Sequence, residues 1–226
     1  MASRLAALAC LTLLLVACNN AVTVELQTGA QAVELAASSV VLPPELRDAS
    51  VSPAIIRAVD CSATGICPST VDVPITCEAG VCDPAAHTVA VPVGDVVDFD
   101  ALLSDARSVL RFVDEIQIVR VDYQVSPNSL TIPLPEVAIY WGPEGAADIT
   151  APGVALLGTI PAVDAMTSVT GEMAIDAAGS AAMSDYVVNV SRRIRFFAEA
   201  QLDLAPGGAF PDGSATITTN VRVRAI

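Results

Sequence analysis

The stretch Arg193-Ile194-Arg195-Phe196-Phe197-Ala198-Glu199-Ala200-Gln201-Leu202-Asp203-Leu204, followed shortly by Thr216-Ile217-Thr218-Thr219-Asn220-Val221-Arg222-Val223-Arg224, carries the clearest structural signal in this chain. In the first run Ile194, Phe196, Ala198, Ala200, Leu202 and Leu204 alternate with Arg193, Arg195, Phe197, Glu199, Gln201 and Asp203. In the second, Ile217, Thr219, Val221 and Val223 alternate with Thr216, Thr218, Asn220, Arg222 and Arg224. Period-two alternation places one row of side chains in a core and the other in water. Pro206-Gly207-Gly208 and Pro211-Asp212-Gly213 lie between them, so the pair is expected to form an antiparallel hairpin with one wet face. On that face Arg222 and Arg224 would meet Glu199 and Asp203, each pair worth only ~0.2–1 kcal/mol.

Working back from this pair, the same texture recurs. Val22, Val24 and Leu26 alternate, and residues 31–42 give a less regular apolar segment ended by Pro43-Pro44. Val113 to Val125 reads as a strand whose phase shifts between Ile118 and Val119, predicting a bulge or burial on both faces. Ser126-Pro127-Asn128 is expected to turn the chain into Leu130, Ile132 and Leu134, where Pro133 and Pro135 argue for an edge. Val137, Ile139 and Trp141, then Val154 to Ile160, then Val169, Met173 and Ile175 mark further strands. Two helices are expected: one from Ala101 to Leu110 capped by Asp100, and a short one over Ala181 to Val188. Many short strands, few helices and frequent Pro and Gly predict a mainly β protein, an antiparallel β-sandwich. A membrane barrel would need aromatic girdles, and aromatics are 4% of the residues.

The cysteines divide into groups. Cys61, Cys67, Cys77 and Cys82 crowd into a turn-rich segment with Gly65, Pro68, Gly80 and Pro84. Four cysteines so placed predict two disulfides that staple a loop, with three pairings open. Short loops favour the local pairing, Cys61–Cys67 with Cys77–Cys82. Zinc, with His87 as a further ligand, is the competing reading, but zinc ligands usually come at tighter spacing. Asp95, Asp98 and Asp100 are weak calcium candidates; they lack the order of a calcium loop, and a helix cap with solvated acids accounts for them better.

The amino-terminal residues set the address. Arg4 precedes an apolar run from Leu5 to Val16, too short for the ~20 residues a spanning helix needs. Leu15-Val16-Ala17-Cys18 then resembles the lipobox of bacterial lipoproteins, with Asn19-Asn20 after it. The resemblance implies that residues 1–17 are a signal peptide and that Cys18 becomes the acylated first residue. Residues 18–226 would then form one lipid-anchored domain. Two or three acyl chains at ~0.8 kcal/mol per buried methylene hold a protein firmly on a bilayer. Asn19, in place of the Asp that enteric sorting reads as inner-membrane retention, implies the outer membrane. A strand pattern begins almost directly behind Cys18, so the body is expected to sit close to that membrane. The segment from Tyr123 to Trp141 also resembles immunoglobulin-like sandwiches of the late-embryogenesis-abundant type, which implies an immunoglobulin-like winding.

Composition and motifs exclude much chemistry. The formal net charge is −14 and every one of the 11 basic residues is Arg, so nucleic acid and anionic surfaces are poor partners for the body. Without Lys there is no Schiff-base lysine, no Ser-Lys pair and no phosphate-binding P-loop. His87 is the only histidine, and no nucleophile elbow surrounds any Ser. The expectation is a non-catalytic binding or structural module without a cofactor, meeting an envelope protein or a glycan. An envelope hydrolase using paired carboxylates and a calcium-dependent adhesive module are the alternatives.

Overall fold

A computed structural model describes residues 24–68, 73, 75–84, 87–102 and 116–225. The expected positions Met1 to Val22, including Cys18, and most of the first expected helix lie outside them. In chain order the strands are β1 (Val24–Gln27), β2 (Gln31–Ala36), β3 (Arg47–Asp48), β4 (Ile55–Ile56), β5 (Val59–Asp60), β6 (Ile75–Glu78), β7 (Val81–Pro84) and β8 (His87–Asp98). They continue with β9 (Ile116–Asn128), β10 (Val137–Pro143), β11 (Ala155–Ile160), β12 (Val169–Glu172), β13 (Ala174–Ile175), β14 (Arg193–Leu202) and β15 (Ser214–Ala225). The helices are α1 (Phe99–Leu102) and α2 (Ala177–Asn189).

Two antiparallel sheets make the expected sandwich. One has the order β1-β15-β9-β12, with β2 also on β15; the other runs β13-β11-β10-β14-β8. Their inner rows share one core: Val33, Val121, Val125, Ile217 and Val221 from the first, Ile139, Leu157, Ile194, Phe196 and Ala198 from the second. Along the chain β2, β8, β9 and β10 alternate between sheets, and so do β11, β12, β14 and β15. Four strands, β2-β15-β9-β12, therefore face four others, β8-β14-β10-β11, which is jelly-roll winding in place of the immunoglobulin-like order.

That winding overturns the expected hairpin. β14 pairs with β10 and β8, whereas β15 pairs with β9, β1 and β2. The two strands face each other across the core. The inner rows are as expected, with Ile194, Phe196, Ala198 and Ala200, like Ile217, Val221 and Val223, buried; Phe197, expected on the wet face, is buried too. A buried row says only that a core lies on one side; it does not say whether the next strand lies beside it or opposite. The connection between them is a corner that docks on β4, with Ile56 N donating to Gly208 O and Gly207 N to Ile56 O. Hence Arg222 and Arg224 do not meet Glu199 and Asp203. Arg224 pairs with Glu25 at 2.7 Å and Arg222 with Asp122 at 3.6 Å.

β9 carries the predicted irregularity. Arg222 is opposite Arg120 and Val223 opposite Ile118, which leaves Val119 as a bulge, 38% exposed. The strand also runs on through Ser126-Pro127-Asn128, so the chain turns later than expected. Leu130 and Leu134 are buried, but apart from a bridge between Leu134 and Val163 their segment is irregular. Residues Val169 to Ile175 split between sheets: Met173 N donates to Val121 O in the first, and Asp176 N to Leu157 O in the second.

α2 closes one end. Asp176 caps it by accepting from Gly179 N at 2.6 Å, and Gly179, Met183 and Val187 form its buried stripe at i, i+4 and i+8. Trp141 Nε1 donates to Gly179 O at 2.9 Å, and its ring lies 5.5 Å from Tyr186. Gly179 leaves no room for a side chain, because a Cβ there would fall 1.6 Å from Leu156 O.

Candidate functional site

The outward face of the first sheet holds an open polar groove of about 670 Å³. Its floor is Asp122 and Gln124 of β9 with Thr218 and Asn220 of β15; Thr170 and Glu172 of β12 stand at one side and Ala30 at the other. The bulge at Val119 builds part of it. Ile118 faces the core, so without the extra residue Arg120 would face it too; the bulge turns Arg120 outward beside Asp122. Arg120 Nε donates to Asp122 Oδ1 and lies 3.6 Å from Glu172 Oε2. Asp122 first, and Glu172 less, hold the guanidinium above its ordinary pKa. Asn220 Oδ1 is buried without a hydrogen-bond partner, a vacant acceptor in a face otherwise composed of charge pairs, amides and hydroxyls. Such a surface binds through hydrogen bonds; it offers guanidinium, carboxylate, amide and hydroxyl groups and no thiol or imidazole.

On the opposite outward face, Tyr140 donates to Glu199 Oε2 at 2.8 Å. Burial, with help from this carboxylate, pushes the phenol up to about 12. A small apolar slot of about 30 Å³ opens between the sheets, lined by Leu35, Val89, Leu130, Leu134 and Ala200 among others. It is the size of one water and offers water almost no partner, so it is expected to stay dry.

The cysteine block forms a satellite unit. β5, β7 and β6 make a small sheet, and the turn between β6 and β7 is Ala79-Gly80, both at positive φ. The disulfides are Cys61–Cys77 and Cys67–Cys82, with Cα separations of 6.0 and 5.6 Å. This corrects the expected local pairing. Cys77 and Cys82 are register partners across β6 and β7, yet each bonds back to the 61–67 loop. Crossing closes loops with separations of 16 and 15 residues, which removes more freedom from the unfolded chain than two short rings would, ~3 kcal/mol per bridge. Among the described residues the only gathered metal-type donors are the sulfurs of Cys61, Cys67 and Cys82, all already in disulfides. His87 enters β8 opposite Leu202.

Each of the three acids singled out for calcium has a place in the structure. Asp98 accepts from Ala101 N at 3.1 Å and so caps α1, the role expected of Asp100, and it also lies 3.7 Å from Arg193. Asp100 lies 3.6 Å from Arg192. Asp95 sits in a bulge opposite Arg195, its N–H donating to Gln31 Oε1 at 3.2 Å. That bulge needs Gly94, at φ +61, with the Gln31 side chain packed where a Cβ would be. Sequence reasoning missed the Arg120–Asp122–Glu172 group and the Tyr140–Glu199 pair, because cross-strand partners are unknown until register is known. The phase shift at Val119 was the available hint of the first.

No protein-family model matches the chain, and no curated protein does. Among solved structures, a chain of Desmodium yellow mottle tymovirus is similar at 11% identity, over 71% of this chain and 91% of that one, with a TM-score of 0.23. A likeness at that level carries no argument about function.

Proposed function

We propose that this protein is a lipid-anchored lipoprotein of a bacterial envelope, acting as a non-catalytic binding or structural module. The observation that carries the reading is Leu15-Val16-Ala17-Cys18 at the end of a short apolar run. Two disulfides fit an oxidising compartment, where thiols do not stay reduced. The outer membrane is the proposed site, by the identity of Asn19. Contacts with an envelope protein or a glycan are assigned to the polar groove and to the loops at the sandwich ends. A hydrolase would most naturally use Asp122 and Glu172, which are opposite in register, but both serve as partners of Arg120. With both carboxylates engaged by one guanidinium, binding is the better account.

The test is metabolic labelling with a palmitate analogue in a bacterial host, comparing wild type with Cys18→Ser. Wild type is expected to take up label, lose residues 1–17 and pellet with membranes. The variant should remain unlabelled and unprocessed. A variant that is labelled and processed like wild type defeats the reading.

A further inference from the structure

We propose that the end of the sandwich bearing the start of β1 rests on the phospholipid bilayer, and that the cysteine-stapled loop points away from it. This rests on Cys18 being the acylated residue. Six positions separate Cys18 from Val24, a reach of at most ~20 Å. Val24 pairs with Ala225 at one tip of β15, and the other tip, Ser214, is ~35–40 Å away at the rise of a strand. The far end also holds His87, Leu202 and Asn128, and the stapled loop precedes His87 directly. A tether shorter than the body cannot invert it onto the membrane. The remaining choice is between standing upright and lying flat.

Charge selects the upright pose. Arg120, Arg192, Arg193, Arg195, Arg222 and Arg224 all lie in the half beside the start of β1, at or near the tips of β9, β14 and β15. Among the described residues only Arg47 and Arg57 are elsewhere. Five of those six arginines are paired with acids of the same half, Glu25, Asp98, Asp100, Asp122, Glu144 and Glu172, whereas the acids of the far end, among them Glu45, Asp48, Asp60, Glu78, Asp164 and Asp212, have only Arg47 and Arg57 to offset them. An anionic headgroup layer repels that end most and the arginine-bearing end least. The anchor-side tip also exposes apolar surface beside its cations: Val190 is 69% exposed, two residues before Arg192 and Arg193. An exposed apolar side chain suits the interface, and Arg192 and Arg193 beside it are held by Asp100, Asp98 and Glu144, so this tip meets the headgroups with paired charge.

The experiment uses full-length acylated protein in phosphatidylethanolamine–phosphatidylglycerol vesicles containing a headgroup nitroxide lipid. A bimane label is attached to Val190→Cys or to Met166→Cys; Met166 is equally exposed, and its N–H bonds Leu130 O at the far end. Quenching is expected to be several-fold stronger at position 190. Equal quenching, or stronger quenching at 166, on protein whose mass shows acylated Cys18 overturns the orientation and leaves the anchor standing. An unacylated mass overturns both.

Discussion

Replacing Asn128 with Ala tests how the far end of the sandwich is held. Asn128 ends β9 with its side chain buried. Its Nδ2 donates to Thr167 O at 2.9 Å and to Asp164 O at 3.2 Å, while Oδ1 accepts from Leu130 N at 3.1 Å. One amide thus ties the exit of β9 to the loop between β11 and β12. Each neutral bond is worth ~1 kcal/mol net, and each partner left dry costs at least that, so the loss is expected near ~3 kcal/mol. For a chain of this size that lowers Tm by roughly 6–12 °C. Asn128→Asp keeps the acceptor but sets a carboxylate against two carbonyls. Its folded-state pKa should be raised, so it is expected to match wild type best near pH 4 and to lose stability as pH rises. Asn189→Ala, which removes an exposed contact to Asp185, is the control and should cost less than ~0.5 kcal/mol. Urea and thermal melts would measure all three. A loss below ~1 kcal/mol for Asn128→Ala would refute the claim that this amide holds the corner together.

Non-reducing digestion and mass spectrometry should recover Cys61–Cys77 and Cys67–Cys82 peptides and none joining Cys61 to Cys67. Losing either bridge should cost ~2–4 kcal/mol in denaturant. Gly179→Ala should destabilise by ~1–3 kcal/mol, because its methyl meets the Leu156 carbonyl, whereas Gly29→Ala, with open space around it, should be near neutral in the same melts. Tyr140 should titrate near 12 by phenolate absorbance, and Glu199→Gln should bring it closer to the ordinary tyrosine value. Because the folded state holds this proton more tightly than the unfolded chain, its contribution to stability should be lost as pH rises from about 10 to about 12.

How far the chain could be read in advance depended on the range of the physics involved. α2 was expected over Ala181 to Val188 and runs from Ala177, because its cap, Asp176, acts on a residue three positions away. The bulge at Val119 showed as a broken alternation, since period two is a local property of the backbone. By its place beside Pro127, Asn128 reads as a turn residue. Its actual role depends on carbonyls 36 and 39 positions away, which no local pattern reports.

The sequence by itself determined that this is a mainly β protein with one apolar row per strand, and it raised the expectation of stapled cysteines and an anchor at Cys18. The alternation in Arg193–Leu204 and Thr216–Arg224 was enough to place the inner row, though not to show that Phe197, in the other row, is buried as well. Only the tertiary structure decided that these two runs face each other instead of pairing, which acids each arginine meets, and which cysteines join. The reason is the same in each case. Burial is a property of one residue and its periodic neighbours, whereas pairing depends on which distant strand the winding places alongside.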